Sequence, residues 1–259
     1  SFSLILPVYN HLDYTENCLT QMIETIPSWM DVEIIIIDDC STIPGVYETL
    51  KTWEARDPRI QVHRNPENMN YLMTCKIGAS RATKDIIVTL NNDILPQTGW
   101  IEALAQTFVD FPDAGVVGGL LIYPDGRLQE AGASIFSDAN AWNIGRLESP
   151  DNPQYNYVRK VDYVSGALMA TPRSLWNEIG GFDERFRPIY YEDSDYCLTV
   201  KSRGYSVYVQ PRCRIIHFEG VTSGTDPSKK DSPKHYQQLN AAKFAEKWKD
   251  VLRNQPPPP

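Results

Sequence analysis

The sequence predicts an α/β protein built on an open sheet with helices on both faces. Two observations carry this. Strand-length apolar runs alternate with helical patterns four times within the first 95 residues, as expected where helices connect the strands of one sheet. The isoleucine run in DVEIIIIDDCST is too apolar for an edge strand and needs cover on both faces. At 259 residues the chain can bury a sizeable core.

SFSLILPVYN reads as a strand ending at Pro7. HLDYTENCLTQMIETIP follows as a helix whose apolar face is Leu12, Leu19, Met22, Ile23 and Ile26. After the isoleucine strand, GVYETLKTWEARDP is a helix stopped by Pro58. RIQVHRN is a short strand, NYLMTCKIGASRA a helix and DIIVTLNND a strand. Ligands of such sheets bind beyond the carboxyl ends of the strands. That singles out Pro7-Val8-Tyr9-Asn10, Asp38-Asp39 and Asn91-Asn92-Asp93.

The second half is less regular. Helix GWIEALAQTFVDFP precedes strand AGVVGGLLIY, and a polar stretch from Pro124 to Arg159 shows little periodicity. KVDYVSGALMAT returns to strand. PRSLWNEIGGFD is a short helix with Pro172 near its start and Gly180 at its end. SDYCLTVKSRGY is a helix closing at Gly204, and SVYVQPRCRIIHFEG one or two strands. VTSGTDPSKKDSPKHY is expected to be a mobile loop. In the last helix, Phe244, Trp248 and Leu252 share a face suited to packing on the core, with membrane contact as the alternative. Pro256 to Pro259 are expected to fray.

Composition narrows the function. With 25 basic and 33 acidic residues the net charge is -8, which argues against a nucleic-acid partner. The five cysteines are scattered and never form CxxC, so reduced thiols in a cytosolic protein fit better than disulfides or a zinc site. No apolar run approaches the roughly 20 residues of a membrane span, and the N-terminus lacks a signal peptide. It also lacks Met and enters a strand at once, so the chain is expected to be excised from a longer protein. The expected location is cytoplasmic, with peripheral contact at the inner face of the membrane left to the rest of that protein.

Several polar residues stand where chemistry could be done. Asp38 and Asp39 can simply solvate a strand exit, or accept the N3–H of a uracil or thymine gripped by the backbone of Pro7, Val8 and Tyr9. Asp93 is a polar strand end or a ligand to Mg2+ or Mn2+, which favour oxygen donors and often take only one or two carboxylates. Asn91 shares its face and can orient water or ribose hydroxyls. His217 ends a later apolar strand, as a structural histidine or as a neutral imidazole ligand beside Asp93. Glu192, Asp193 and Asp195 follow two tyrosines. Asp193 is placed as a helix N-cap, and the helix start would also favour the ionised carboxylate that a general base needs. Lys229, Lys230 and Lys234 belong to a solvated loop or to a lid over a diphosphate.

LPVYN, EIIIIDDCS, ENMNYLMTCKIG, LNNDILPQTGWIEAL, YPDGRLQEAG, VDYVSGALMATPRSLWNEIGGFDERF, YYEDSDYCLTVKSRGYSVYVQP and HFEGVTSG occur in this order across nearly the whole chain. Together they resemble the family 2 glycosyltransferases of the GT-A fold, of the bacterial O-antigen, capsule and rhamnan polysaccharide type. The resemblance implies a Rossmann-like open mixed β-sheet flanked by helices, in a single compact domain over 1–259. Within it, 1–95 would be the nucleotide-sugar half, 96–225 the acceptor half, and 226–259 the loop and last helix.

The resemblance also assigns roles. Pro7, Val8, Tyr9 and Asn10 would border the nucleotide base, with Asp39 recognising the pyrimidine and Asp38 behind it. NND stands where the family has its DxD motif, so Asp93 matches the metal-binding acid and Asn91 the first acid, with Asn92 between them. His217 matches a histidine that completes the metal site. Asp193 matches the catalytic base and Glu192 a residue orienting the base or acceptor. Trp100, Ser165, Gly166, Gly181, Asp183, Tyr191 and Asp195 would line the sugar and acceptor pockets. Asn70 stands where the family often has Gly, and Lys76 where it often has Asn. Lys76 could contact the diphosphate or pack its stem along the helix. The implied activity is inverting transfer from a UDP- or dTDP-sugar to a hydroxyl of a saccharide or lipid-linked saccharide, with Mg2+ or Mn2+. Two other readings are a sugar nucleotidyltransferase, whose Gly-rich basic N-terminal loop is absent from LPVYNHLDYTEN, and a catalytically silent nucleotide-sugar-binding module of a larger synthase.

Overall fold

The computed structural model describes residues 1–219 and 233–259. The first half follows the predicted order: β1 (Phe2–Val8), α1 (Leu12–Thr25), β2 (Val32–Asp38), α2 (Val46–Arg56), β3 (Ile60–Arg64), α3 (Asn70–Ala79) and β4 (Ile86–Leu90). Then come β5 (Ile94–Pro96), α4 (Trp100–Asp110), β6 (Ala114–Ile122), β7 (Leu128–Glu130), β8 (Ala133–Ile135) and β9 (Ala141–Asn143). The chain continues through β10 (Arg159–Lys160), β11 (Leu168–Pro172), α5 (Arg173–Ile179), α6 (Glu192–Ser202), β12 (Ser206–His217), α7 (Pro233–Lys247) and α8 (Lys249–Leu252). Lys229, Lys230 and most of the predicted loop lie outside the described residues, as does the side chain of Lys234.

The main sheet runs β10-β12-β6-β11-β4-β1-β2-β3, with β5 added to β12 and β7 to β6. It is mixed: β1, β2, β3 and β4 are parallel, and β11 is antiparallel to both β4 and β6. Both faces are covered, as the isoleucine run required. Ile34 and Ile36 join Leu4, Leu19, Leu50 and Leu104 on one side, while Ile35 and Ile37 join Ile5, Leu72, Trp176 and Phe182 on the other. Helix α3 lies so close that a Cβ on Gly78 would clash with Ile5 Cγ2.

Register fixes the working edge. Val8 pairs with Asp38 and Ile5 with Thr89, so β1, β2 and β4 end at one side of the sheet. The short β5 was not predicted, and it is decisive for the site. It turns back after Asn91-Asn92-Asp93 and pairs antiparallel with β12, placing Ile94 opposite His217. Phe218 N–H also donates to Asp93 O at 3.0 Å.

Other differences are local. The stretch from Pro124 to Arg159 holds β7, β8 and β9, strands of three residues each, too short to show a period. The strand predicted in KVDYVSGALMAT is split: Lys160 ends β10, and β11 begins only at Leu168. The tail is tied at its start, where Ser137 N–H donates to Pro256 O at 2.9 Å. Phe244 is fully buried against Phe186 and Tyr191, so the last helix packs on the core. Among the described residues no helix is long and apolar enough to cross a membrane.

Candidate active site

Asp93 and His217 meet at the edge. His217 Nε2 lies 3.4 Å from Asp93 Oδ1, and both side chains are almost fully buried. Asn91 Nδ2 lies 3.3 Å from the same Nε2, and Gln129 Oε1 lies 3.0 Å from His217 Nδ1. In the tautomer protonated on Nδ1, the glutamine oxygen accepts from Nδ1–H, the Asn91 amide donates to Nε2, and Nε2 carries the lone pair. That lone pair faces a carboxylate oxygen which has no hydrogen-bond partner among the described residues. Two acceptors turned toward each other in a buried corner leave a place suited to a cation. The oxygen and imidazole donors fit Mn2+, and Mg2+ less well because it prefers oxygen alone. No group of three or more His, Cys, Asp or Glu residues gathers for a metal among the described residues, so a ligand or water must complete the shell.

A second corner forms at the start of α6. The helix begins at Glu192, so Asp193 is not the N-cap that the sequence suggested; it lies inside the first turn. Tyr191 takes the cap position with φ 70°, after Tyr190 at φ 76°. Asp193 Oδ1 accepts Ser194 N–H at 2.7 Å, and Oδ2 accepts Gly166 N–H at 3.0 Å. Burial pushes the Asp193 carboxyl above its ordinary range, opposed by these two N–H groups. Glu192 is raised further by burial and by its neighbour Asp193, and its Oε2 has no partner among the described residues. Ser165 N–H donates to Glu130 Oε1 at 2.9 Å, and Tyr71 O–H to Gly166 O at 3.0 Å. The Ser165-Gly166 turn therefore seats Asp193.

The third corner is at β1 and β2. Asp39 accepts Met69 N–H at 2.7 Å, Asn70 N–H at 2.9 Å and Asn65 Nδ2 at 2.7 Å, and its own N–H donates to Val8 O. It thereby fastens the start of α3, where Asn70 adopts φ 65°, to the sheet edge. Asp38 lies beneath, accepting Ser41 N–H at 3.0 Å, with Arg64 Nη1 3.0 Å from its Oδ2. Tyr9 is half-buried beside Pro7 and Val8.

Residues 3–179 match the family described as Glycosyl transferase family 2. The chain belongs to this family. The O-antigen biosynthesis protein RfbC of Myxococcus xanthus is 25% identical over 231 residues, which is 86% of this chain and 18% of that protein. The N-acetylglucosaminyl-diphospho-decaprenol L-rhamnosyltransferase of Mycobacterium tuberculosis is 29% identical over 163 residues, 56% of this chain and 50% of that protein. This chain thus spans half or less of the length of either relative. The crystal structure of GalNAc-T7 with UDP, GalNAc and Mn2+ superposes with a TM-score of 0.79 at 17% identity, covering 98% of this chain and 50% of that one. The fold is therefore the GT-A fold.

In this chain several side chains expected at the site also brace the elements around it. Trp100 is fully buried and donates to Thr25 Oγ1 at 3.2 Å, so it is core and cannot line an acceptor pocket. Asn92 points into α1 and donates to Thr15 Oγ1 at 2.9 Å. Asn10 accepts the N–H groups of Thr42 and Ile43, bracing β1 to the turn after β2. Lys76 pairs with Glu184 at 2.9 Å. Gly181, with φ 72°, lies under Trp176, where a Cβ would come within 2.8 Å of the indole.

Asp183 and Asp195 face the C-terminal helix. Both bind Lys247, and Asp195 accepts Trp248 Nε1–H at 2.7 Å. They fasten the C-terminal helix. Asp195→Ala removes charge-assisted bonds from a buried carboxylate, and we expect it to cost about 1.5–3 kcal/mol in urea unfolding. A change below about 0.5 kcal/mol would show that the helix docks without this clamp.

Four contributors escaped the sequence reading. Gln129 and Glu130 lie in a strand too short to recognise. Tyr71 lies in the predicted helix NYLMTCKIGASRA, where nothing in the sequence sets it apart. Asn240, fully buried in α7, directs Nδ2 toward the carbonyls of Phe186, Ile189 and Tyr190, holding the segment that leads to Glu192. Its one signal was an asparagine inside a helical run, where that residue is a poor former. The cleft of about 480 Å3 lined by Lys160, Lys201 and Tyr205 lies at the Ser206 end of β12, the opposite end from His217.

Burial sets the Glu130 carboxyl at about 8, opposed by Ser165 N–H and helped by nearby Asp193. A carboxyl raised on folding contributes stability at low pH that is lost as pH rises through its folded value. We therefore expect Glu130→Gln, which keeps the acceptor for Ser165, to gain stability over the parent between about pH 5 and pH 8. Denaturant unfolding at those two pH values tests this; an advantage that does not grow with pH would refute it.

Proposed function

We propose that this chain is a metal-assisted inverting glycosyltransferase. It takes a sugar from a UDP- or dTDP-linked donor and delivers it to a hydroxyl of a saccharide or lipid-linked saccharide in surface polysaccharide synthesis. The observation that carries the reading is the buried pair of acceptors, Asp93 Oδ1 and His217 Nε2, at the same sheet edge as the nucleotide corner. The GalNAc-T7 structure holding UDP and Mn2+ supports a nucleotide and a divalent metal here. The name of the mycobacterial relative supports a lipid-linked acceptor, which would place the work at the inner face of a membrane.

In this reading 1–95 binds the donor and 96–225 the acceptor. Tyr9 and the backbone of Pro7 and Val8 face the base, and Asp39 offers the remaining lone pair of Oδ2 to its N3–H. Asp93 and His217 hold the metal, which when bound supplies charge neutralisation for the leaving diphosphate. Asn91 keeps Nε2 of His217 facing that place and adds no charge of its own. Asp193 takes the proton from the acceptor hydroxyl, which attacks the anomeric carbon from the face opposite the diphosphate. A single displacement inverts the configuration. Glu192, its carboxyl raised by burial and by Asp193, places a hydrogen-bonding group behind the base. Ser165 and Gly166 fix the base, and Tyr191 shapes the approach to it.

A thermal-shift screen of nucleotide sugars with MnCl2 tests the reading. A donor that binds only the folded chain raises its melting temperature in proportion to RT ln(1 + [L]/Kd). We expect a UDP- or dTDP-sugar to do so with MnCl2 and much less with EDTA. No response from any nucleotide sugar would refute the proposal.

A further inference from the structure

The landmark YPDGRLQEAG contains Gln129, to which the mechanism above gives no role. Its position is unusual. Strand β7 pairs with β6 through Leu128 opposite Ile122 and Glu130 opposite Leu121, so Gln129 is an extra residue in the ladder. Such a bulge re-aims one side chain and bends the strand locally. Here the side chain is aimed at His217, with Oε1 3.0 Å from Nδ1. Gln129 is 4% exposed, so water has little access to replace that bond. Its neighbours leave it little freedom. Glu130 is held by Ser165 N–H at 2.9 Å, and Asn143 Nδ2 approaches Gln129 O at 3.4 Å.

We propose that Gln129 is a positioning residue that keeps the His217 proton on Nδ1 and so leaves the Nε2 lone pair facing Asp93. The acceptor oxygen of a glutamine amide requires a donor at Nδ1, and Asn91 Nδ2 on the other side supplies a donor to Nε2. Both contacts select the same tautomer. Without Gln129 the imidazole can place its proton on Nε2, bond to Asp93 Oδ1 and close the place a cation would take. The same strand anchors the Ser165-Gly166 turn through Glu130, so β7 touches both the histidine corner and the seat of Asp193. The part of this inference that concerns a cation rests on the metal reading proposed above; the tautomer does not.

The test has two arms. Two-bond 1H–15N correlation spectra of the metal-free protein report the tautomer of His217. We expect one form in the parent, protonated on Nδ1, and a mixture or the Nε2–H form in Gln129→Leu. Titration with MnCl2 in the presence of uridine diphosphate, followed by the EPR signal of the aqueous ion, reports affinity. Loss of a partner to a ligating histidine weakens metal binding by about 10–100-fold, and we expect that in Gln129→Leu but not in Gln129→Glu, which keeps an acceptor. If Gln129→Leu does not fold, Gln129→Met also lacks an acceptor oxygen and asks the same question. A single Nδ1–H tautomer in the Leu or Met variant overturns the inference. Failure of the parent to bind Mn2+ overturns the metal reading instead, and the spectra still decide the role of Gln129.

Discussion

Asp193→Asn is expected to reduce sugar transfer at least 10²–10⁴-fold, the usual worth of a positioned general base, while the affinity for nucleotide diphosphate stays within a few-fold. The carboxylate is held by Ser194 N–H on one oxygen and Gly166 N–H on the other. An amide offers one acceptor oxygen in place of two, so one N–H will face an NH2 group and the seat will shift slightly. The nucleotide corner is built on β1, β2 and the start of α3, which share no hydrogen bond with Asp193 apart from Tyr71 acting through Gly166. Transfer and binding should therefore separate. The pH profile gives a second readout. Burial raises the Asp193 carboxyl, and a base works only when ionised, so kcat/KM of the parent should rise with pH through a limb above the ordinary carboxylate range. The residual activity of Asp193→Asn should lack that limb. Transfer within tenfold of the parent, or an unchanged acid limb, would remove Asp193 from the role of base.

How much of this was legible in the sequence depends on the range of the interaction. The isoleucine run and the regular helix patterns placed the first half of the sheet, because local periodicity reports burial there. The ends of those strands single out Asp39 and Asp93, which the structure places at one edge of the sheet. The meeting of Asp93 with His217 is open in the residues alone and implied by the resemblance, because it depends on β5, three residues long, crossing to a strand more than 100 residues later. Gln129 and Glu130 were hidden for the same reason. Trp100 adjoins a landmark in the chain and is expected in the pocket for that reason, yet it is fully buried in the core. Proximity in sequence does not say which way a side chain turns, and Asp195 on α6 faces Lys247 and Trp248, while Asp193, two positions earlier, faces Gly166.

Asp93→Asn should have effects of opposite sign with and without metal. In the metal-free protein the parent buries a carboxylate oxygen that lacks a hydrogen-bond partner among the described residues and faces the lone pair of His217 Nε2. Leaving a buried polar group unsatisfied costs about 1–3 kcal/mol, and more when it is charged. An amide at this position carries no charge and can donate its Nδ2–H to Nε2. Metal-free Asp93→Asn is therefore expected to melt a few degrees above the parent, since about 1 kcal/mol shifts the midpoint by roughly 2–4 °C in a chain of this size. With MnCl2 and uridine diphosphate the order should reverse, because the parent gains binding energy that the amide cannot match. Transfer should fall about 10²–10³-fold, the scale seen when one group stabilising a developing charge is lost. A corner shaped only for folding would give the other pattern. Its carboxylate would be held because it stabilises the empty chain, the amide would melt lower in EDTA, and added Mn2+ would leave the difference unchanged. The crossing of the two melting curves therefore separates a seat for a cation from a polar strand end.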